Sequence, residues 1–151
     1  MRDGDHAFVI TGSQVGWKDR LTDDKFVTVS DCDLSRGVVY ATGLRDPSSE
    51  SMMHYAIYQR RPDVQAVFHG HSREVLSCPE KLAIRETREK KPYGSLELVE
   101  SVLEVLDREM FVVLKRHGFV SLGGTMREAG DLAVRIHRMC ETLKSEKRAE
   151  G

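Results

Sequence analysis

The chain has 151 residues, 40% of them hydrophobic, which is one ordinary domain's worth of sequence with enough apolar side chains for a core. Its 23 basic and 24 acidic residues leave a formal net charge of -1 with both signs mixed along the chain, so no basic face for nucleic acid is implied. The longest apolar runs, such as Met110 to Leu114, are far too short to span a bilayer. The N-terminus, MRDGDHAFV, has no apolar stretch followed by a cleavage site and does not read as a signal peptide. Cys32, Cys78 and Cys140 are widely spaced and form no CxxC pair, which suits a reducing cytoplasm better than a disulfide scaffold.

Strand and helix signals alternate from the start. His6 to Thr11 is a short apolar run closed by Gly12 and reads as a strand. Phe26 to Val29 and Val38 to Thr42 read as two more, separated by an Asp-rich turn. Ser49 to Arg61 reads as a helix capped by Ser48 or Ser49, with Glu50 in its first turn and Pro62 ending it. Val64 to His71 is the next strand. The charged stretch from Ser72 to Lys91, with Pro79 inside it and Pro92 beyond, fits either a helix or a long surface loop. Ser95 to Asp107 is a clear helix: Leu96, Val99, Leu103 and Leu106 fall at helical spacing behind a Ser95 cap. Glu109 to Lys115 is an apolar, β-branched strand, and Phe119 to Leu122 reads as another. Thr125 and Glu128 form a capping box that opens a last helix fading near Ser145. This alternation predicts a single α/β domain over residues 1–151, with a mixed sheet and helices packed on it.

The chemistry concentrates at two strand ends. His69 and His71 lie two apart on a strand, so their imidazoles share a face, and Gly70 leaves room between them. Taken alone, such a tripeptide is more often a pair of surface histidines. His117 shifts the balance, because it follows another apolar strand directly and precedes Gly118. Three histidines without a fourth protein ligand make an open coordination sphere, the arrangement of a catalytic zinc. Glu50 has two readings: a first-turn carboxylate that suits the helix dipole, or a proton-transfer group beside a helix N-terminus able to cradle phosphate. His54 and His137 read as packing or surface residues and Cys78 as core packing. Trp17 sits in a polar loop, where one aromatic does not decide between an interface and a lid.

Five segments occur in one order: FVITGSQVG, DPSSE, YAIYQRRPDVQAVFHGHS, YGSLELVESV and LKRHGFVSLGGTMREAGDLA. Together they make the chain resemble the class II aldolase/adducin family. The resemblance implies a largely antiparallel central sheet between helical layers. It implies zinc, or another divalent metal, on His69, His71 and His117, a catalytic acid/base at Glu50, and substrate phosphate at Ser48, Ser49, Ser13 and Gln14. It also implies a homotetramer with active sites at subunit interfaces, and a lyase that cleaves a small sugar phosphate by retro-aldol chemistry through a metal-stabilised enediolate. Two departures accompany the match. The chain begins where the family pattern is already under way, so it is N-terminally short, and the family's proton-donating tyrosine has no counterpart between His71 and Tyr93. Tyr93 itself reads as an aromatic packing on the core at a helix entry. A sugar-phosphate 4-epimerase or a methylthioribulose-phosphate-type dehydratase would use the same metal site. A non-catalytic, adducin-head-like interaction domain is the third alternative, and it has no use for an open set of three histidines.

Overall fold

A computed structural model of the chain describes residues 1–3, 7–16 and 18–149. Seven strands and four helices follow in the order β1 (Arg2–Asp3), β2 (Ala7–Thr11), β3 (Phe26–Asp33), β4 (Val38–Gly43), α1 (Ser51–Arg60), β5 (Ala66–Gly70), α2 (Arg73–Leu76), α3 (Leu96–Leu106), β6 (Phe111–Leu114), β7 (Gly118–Gly123) and α4 (Met126–Ala149). Among the described residues every strand pairing is antiparallel, where a mixed and largely antiparallel central sheet was expected, and hydrogen bonding divides the strands between two sheets, β1-β2-β3-β4 and β5-β7-β6.

The smaller sheet is buried on both faces, and its alternation explains how. Val112 and Leu114 of β6, with Val120 and Leu122 of β7, join the main core beneath α1 and α3. Phe111, Val113 and Phe119 turn the other way into a second cluster with residues of α2 and α4. Such two-sided burial accounts for the nearly continuous apolar runs FVVL and GFVSL in the sequence. Val29, Ile57, Val102 and Leu114 are fully buried in the main core, and each such side chain contributes about 1.5–3 kcal/mol by leaving water. Ser95 caps α3 by accepting from the Leu98 N–H at 3.1 Å. Half of the capping box of α4 forms as read, Thr125 Oγ1 accepting from the Glu128 N–H, while the Glu128 carboxylate reaches one residue further and accepts from the Gly124 N–H.

Some expectations change. Helix α1 begins at Ser51, two residues later than its serines suggested, and Glu50 occupies the N-cap position without making a side-chain cap hydrogen bond. The stretch from Ser72 to Lys91 is neither one helix nor plain loop: it opens with the single turn of α2, capped by Ser72, and continues irregularly to pair Glu86 beside Val113 of β6. Cys78 and Cys140 are joined in a disulfide, with Cα atoms 5.9 Å apart across a separation of 62 residues. Sequence spacing hid this pair because α4 folds back onto α2 only in three dimensions; the argument from cysteine spacing to a reducing compartment therefore fails. Only Cys32 is a free thiol, and it is buried. His6 and Trp17 lie outside the described residues. Among the described residues no helix is long and apolar enough to cross a membrane.

Candidate metal centre and active site

Strand register builds the site. In the β5–β7 ladder His69 faces Val120 and Gly70 faces Phe119, so the end of β5 lies beside the start of β7. The turn from β6 into β7 is tight, closed by the His117 N–H donating to the Leu114 carbonyl at 2.9 Å. It therefore delivers His117 to the same edge as His69 and His71. Gly118 makes the approach feasible: a Cβ there would meet the Gly70 oxygen at 2.3 Å and His71 Cδ2 at 2.7 Å. Any side chain at position 118 would force the two strand ends apart.

The three imidazoles converge as the sequence predicted. Ring centroids are 4.8 Å apart for His69–His71, 4.9 Å for His69–His117 and 5.3 Å for His71–His117. One nitrogen from each ring lies within 4.8 Å of the others. His69 Nδ1 lies 2.9 Å from the Phe119 carbonyl, so it is the protonated nitrogen, and its Nε2 keeps a lone pair. That Nε2 faces His71 Nε2 at 3.0 Å. Burial, then the neighbouring His117 and His71, pushes His69 down to about 4. Burial, then His71 and Lys90, also holds His117 below its ordinary value. His69 is thus neutral at pH 7, with a lone pair free to coordinate. The Phe119 carbonyl that fixes the His69 tautomer, three ring nitrogens within 4.8 Å of one another and a buried, unpartnered His117 Nδ1 all suit a divalent cation. Zinc fits this all-imidazole donor set.

Glu50 stands next to the histidines. Its Oε1 is 3.6 Å from His117 Nε2, and its Oε2 is buried without a hydrogen-bond partner. Burial raises the affinity of this carboxylate for protons, opposed by the Gly94 N–H that donates to it. Gly94 holds φ +68°, a conformation that glycine adopts without strain and that lets the backbone close over Glu50 and Ser49. This carboxylate is 6% exposed and makes no side-chain cap hydrogen bond to its helix.

These groups form the floor of a cleft of about 750 Å³. Ser13, Gln14, Ser48 and Ser49 all line it together with the histidines and Glu50. The serine and glutamine rim is assembled by a bridge between Gly12 and Pro47 and by the Ser13 N–H donating to the Asp46 carbonyl at 2.8 Å. Lys18, Lys90, Lys91 and Arg116 line the cleft as well and were not singled out from sequence; Tyr93 lines it too. Tyr93 corrects an expectation: it is 74% exposed at the cleft and does not pack on the core, because the preceding Pro92 and the turn at Gly94 carry it over the site. His54 is buried among core side chains and stacks on Phe8, in line with a packing role.

Comparison with known proteins agrees with this architecture. Residues 1–143 match the family model for the Class II Aldolase and Adducin N-terminal domain. An L-fuculose phosphate aldolase from Methanococcus maripaludis strain C7 is 29% identical over 144 residues, covering 85% of this chain and 73% of that protein. A 5-methylthioribulose-1-phosphate/5-deoxyribulose-1-phosphate aldolase from Rhodospirillum rubrum is 30% identical over 114 residues, covering 66% of this chain and 52% of that protein. The chain thus spans between about half and three quarters of these curated relatives. Among solved structures, an L-fuculose 1-phosphate aldolase superposes with a TM-score of 0.75 at 22% identity, covering 97% of this chain and 72% of that one. The chain belongs to the class II aldolase/adducin family.

Proposed function

We propose that the chain is a zinc-dependent lyase that cleaves a small sugar phosphate by retro-aldol chemistry. The observation carrying this reading is the convergence of His69, His71 and His117 beside a buried, uncapped Glu50, on the floor of a cleft rimmed with hydroxyls and cations. His69, His71 and His117 would hold the metal, which when bound supplies Lewis acidity toward negative charge developing on the substrate's oxygens. Ser48, Ser49, Ser13 and Gln14 are the hydrogen-bonding groups for the phosphate, which holds the substrate across the floor. Glu50, desolvated and with one oxygen free, returns a proton to the carbon left behind when the carbon–carbon bond breaks. The Gly94 N–H keeps that carboxylate aimed into the cleft.

The whole assembly is a single domain over residues 1–151 in this reading, and it works as a homo-oligomer. The oligomeric part is supported by a cleft open at the Tyr93 rim and by Val134 and Met139, half exposed on α4. A cytoplasmic location is part of the same reading and follows from the class of substrate.

The test is an assay of zinc-loaded protein against a panel of ketose 1-phosphates, following release of dihydroxyacetone phosphate. Release that is abolished by chelation and restored by zinc is the expected result. Accumulation of a C4 epimer or a dehydrated product would replace the aldolase reading with the epimerase or dehydratase one. Absence of metal binding would replace it with a non-catalytic domain.

A further inference from the structure

The cations around the cleft are placed in a way that overall composition does not explain. The chain is nearly neutral, and near β6 three of its basic residues meet a carboxylate. Arg85 meets Glu109 at 3.5 Å, Lys115 meets Glu86 at 3.3 Å and Lys91 meets Glu89 at 3.0 Å. Of the four cations that line the cleft, Lys91 is paired in this way, while Lys18, Lys90 and Arg116 have no carboxylate within ion-pair distance among the described residues, and Glu50 is the one acidic residue in the lining. Lys90 is near enough to His117, and Lys18 to His69, for their charges to act on those imidazoles.

Position sharpens the point. The neutral hydrogen-bonding rim comes from the loop after β2 and the lead-in to α1, tied by the Gly12–Pro47 bridge. Lys90 and Arg116 come from elsewhere, the irregular segment running along β6 and the β6–β7 turn. Those two stretches are held together by the Thr87 N–H donating to the Val113 carbonyl and the Lys115 N–H donating to Thr87 Oγ1, both at 2.9 Å. Arg116 sits at φ +56°, a backbone conformation that costs a non-glycine residue free energy and that is tolerated next to His117 at the tip of the turn. One phosphate docked among the serines therefore leaves this second group of cations without an anion.

We propose that the substrate carries a second anionic group, phosphate or carboxylate, at the end of its carbon chain remote from the first, and that Lys90 and Arg116 bind it. The two residues are thus specificity determinants that select doubly anionic substrates over monophosphates. Arginine suits the role because its planar fork donates to two oxygens of one anion, while the lysine adds a point charge. The proposal rests on the sugar-phosphate reading of the cleft but is tested separately from turnover.

The experiment is titration calorimetry on zinc-loaded protein with two probes sharing one carbon skeleton, fructose 1-phosphate and fructose 1,6-bisphosphate. The bisphosphate is expected to bind at least about tenfold more tightly, the advantage shrinking as salt is raised. In the double variant Lys90→Gln/Arg116→Gln the ratio of the two dissociation constants is expected to fall to near one. The charge-conserving Lys90→Arg/Arg116→Lys protein is expected to keep most of the ratio. Equal affinity of wild-type protein for the two probes, failure of both to bind, or a ratio that survives in the Gln double variant would each overturn the proposal. Because binding is read directly, a protein that releases dihydroxyacetone phosphate yet shows a ratio near one refutes this inference alone. One that discriminates the probes but cleaves nothing refutes the lyase reading alone.

Discussion

Replacing Glu50 by glutamine separates two accounts of one carboxylate. If Glu50 served its helix, the substitution would cost a few tenths to about 1 kcal/mol of stability through the helix dipole and leave turnover nearly intact. The structure argues for the opposite pattern. Glu50 makes no cap hydrogen bond, is 6% exposed, and leaves Oε2 unpartnered. Its proton affinity is raised by burial, so the folded chain holds this proton more tightly than the unfolded chain does. Whatever stability the group gives is present at low pH and is lost as pH rises above the ordinary glutamate value. A neutral amide removes that penalty, so Glu50→Gln should be as stable as wild type or more stable at pH 7, with the difference vanishing near pH 4. Activity should move the other way. Loss of a positioned proton-transfer group costs roughly 10²–10⁴-fold in rate, about 3–5 kcal/mol of barrier at about 1.4 kcal/mol per decade. Urea denaturation at the two pH values, zinc content and steady-state cleavage rates together make the assay. A variant that keeps its zinc and near-normal turnover, or one destabilised at pH 7 relative to pH 4, would refute the reasoning.

Gly118→Ala should weaken zinc binding by roughly 10–100-fold, the scale of other disturbances to groups that orient metal ligands, because its Cβ would sit 2.3 Å from the Gly70 oxygen; a dissociation constant within twofold of wild type would contradict this. The Cys78–Cys140 bond leaves one free thiol, so unreduced, denatured protein should titrate for Cys32 alone. Cys140→Ser should lower stability by about 2–4 kcal/mol. His54 is buried and held down to about 3 by burial, then by His69 and the N-terminal amine. It stays neutral in the folded chain while the unfolded chain takes up a proton below about pH 6.5, so stability falls with pH, by about 3 kcal/mol at pH 4.5. Metal-free His54→Leu should lose that part of the slope, and an unchanged slope between pH 6.5 and 4.5 would count against it.

How much of this was legible beforehand depends on the kind of signal. Helix α3 and strands β6 and β7 were readable because apolar periodicity and continuous apolar runs report burial directly, as Val102 and Leu114 illustrate. The histidine triad was readable because strand geometry puts His69 and His71 on one face and a short turn returns His117 to it. Ser48 and Ser49 misled about the start of α1, since hydroxyls before a helix look like caps whether they serve the helix or face a cleft. Tyr93 looked like core because aromatics usually are core, and only the turn at Gly94 reveals its exposure. The Cys78–Cys140 pair depends on the packing of α4 against α2, a long-range event without a local trace. Lys90 and Arg116 resembled any surface cations until the fold brought them to one cleft beside the histidines.

The central claim is that His69, His71 and His117 hold a metal beside Glu50 so that a proton can move to and from a substrate carbon. Hydrogen exchange into dihydroxyacetone phosphate tests it most directly, because it isolates the proton transfer from carbon–carbon cleavage. In deuterated buffer, zinc-loaded protein is expected to exchange a single hydroxymethyl hydrogen, followed by NMR, with the exchange lost on chelation and in Glu50→Gln. Exchange that persists without metal or without the Glu50 carboxylate, or its absence from protein shown to contain zinc, would contradict the account.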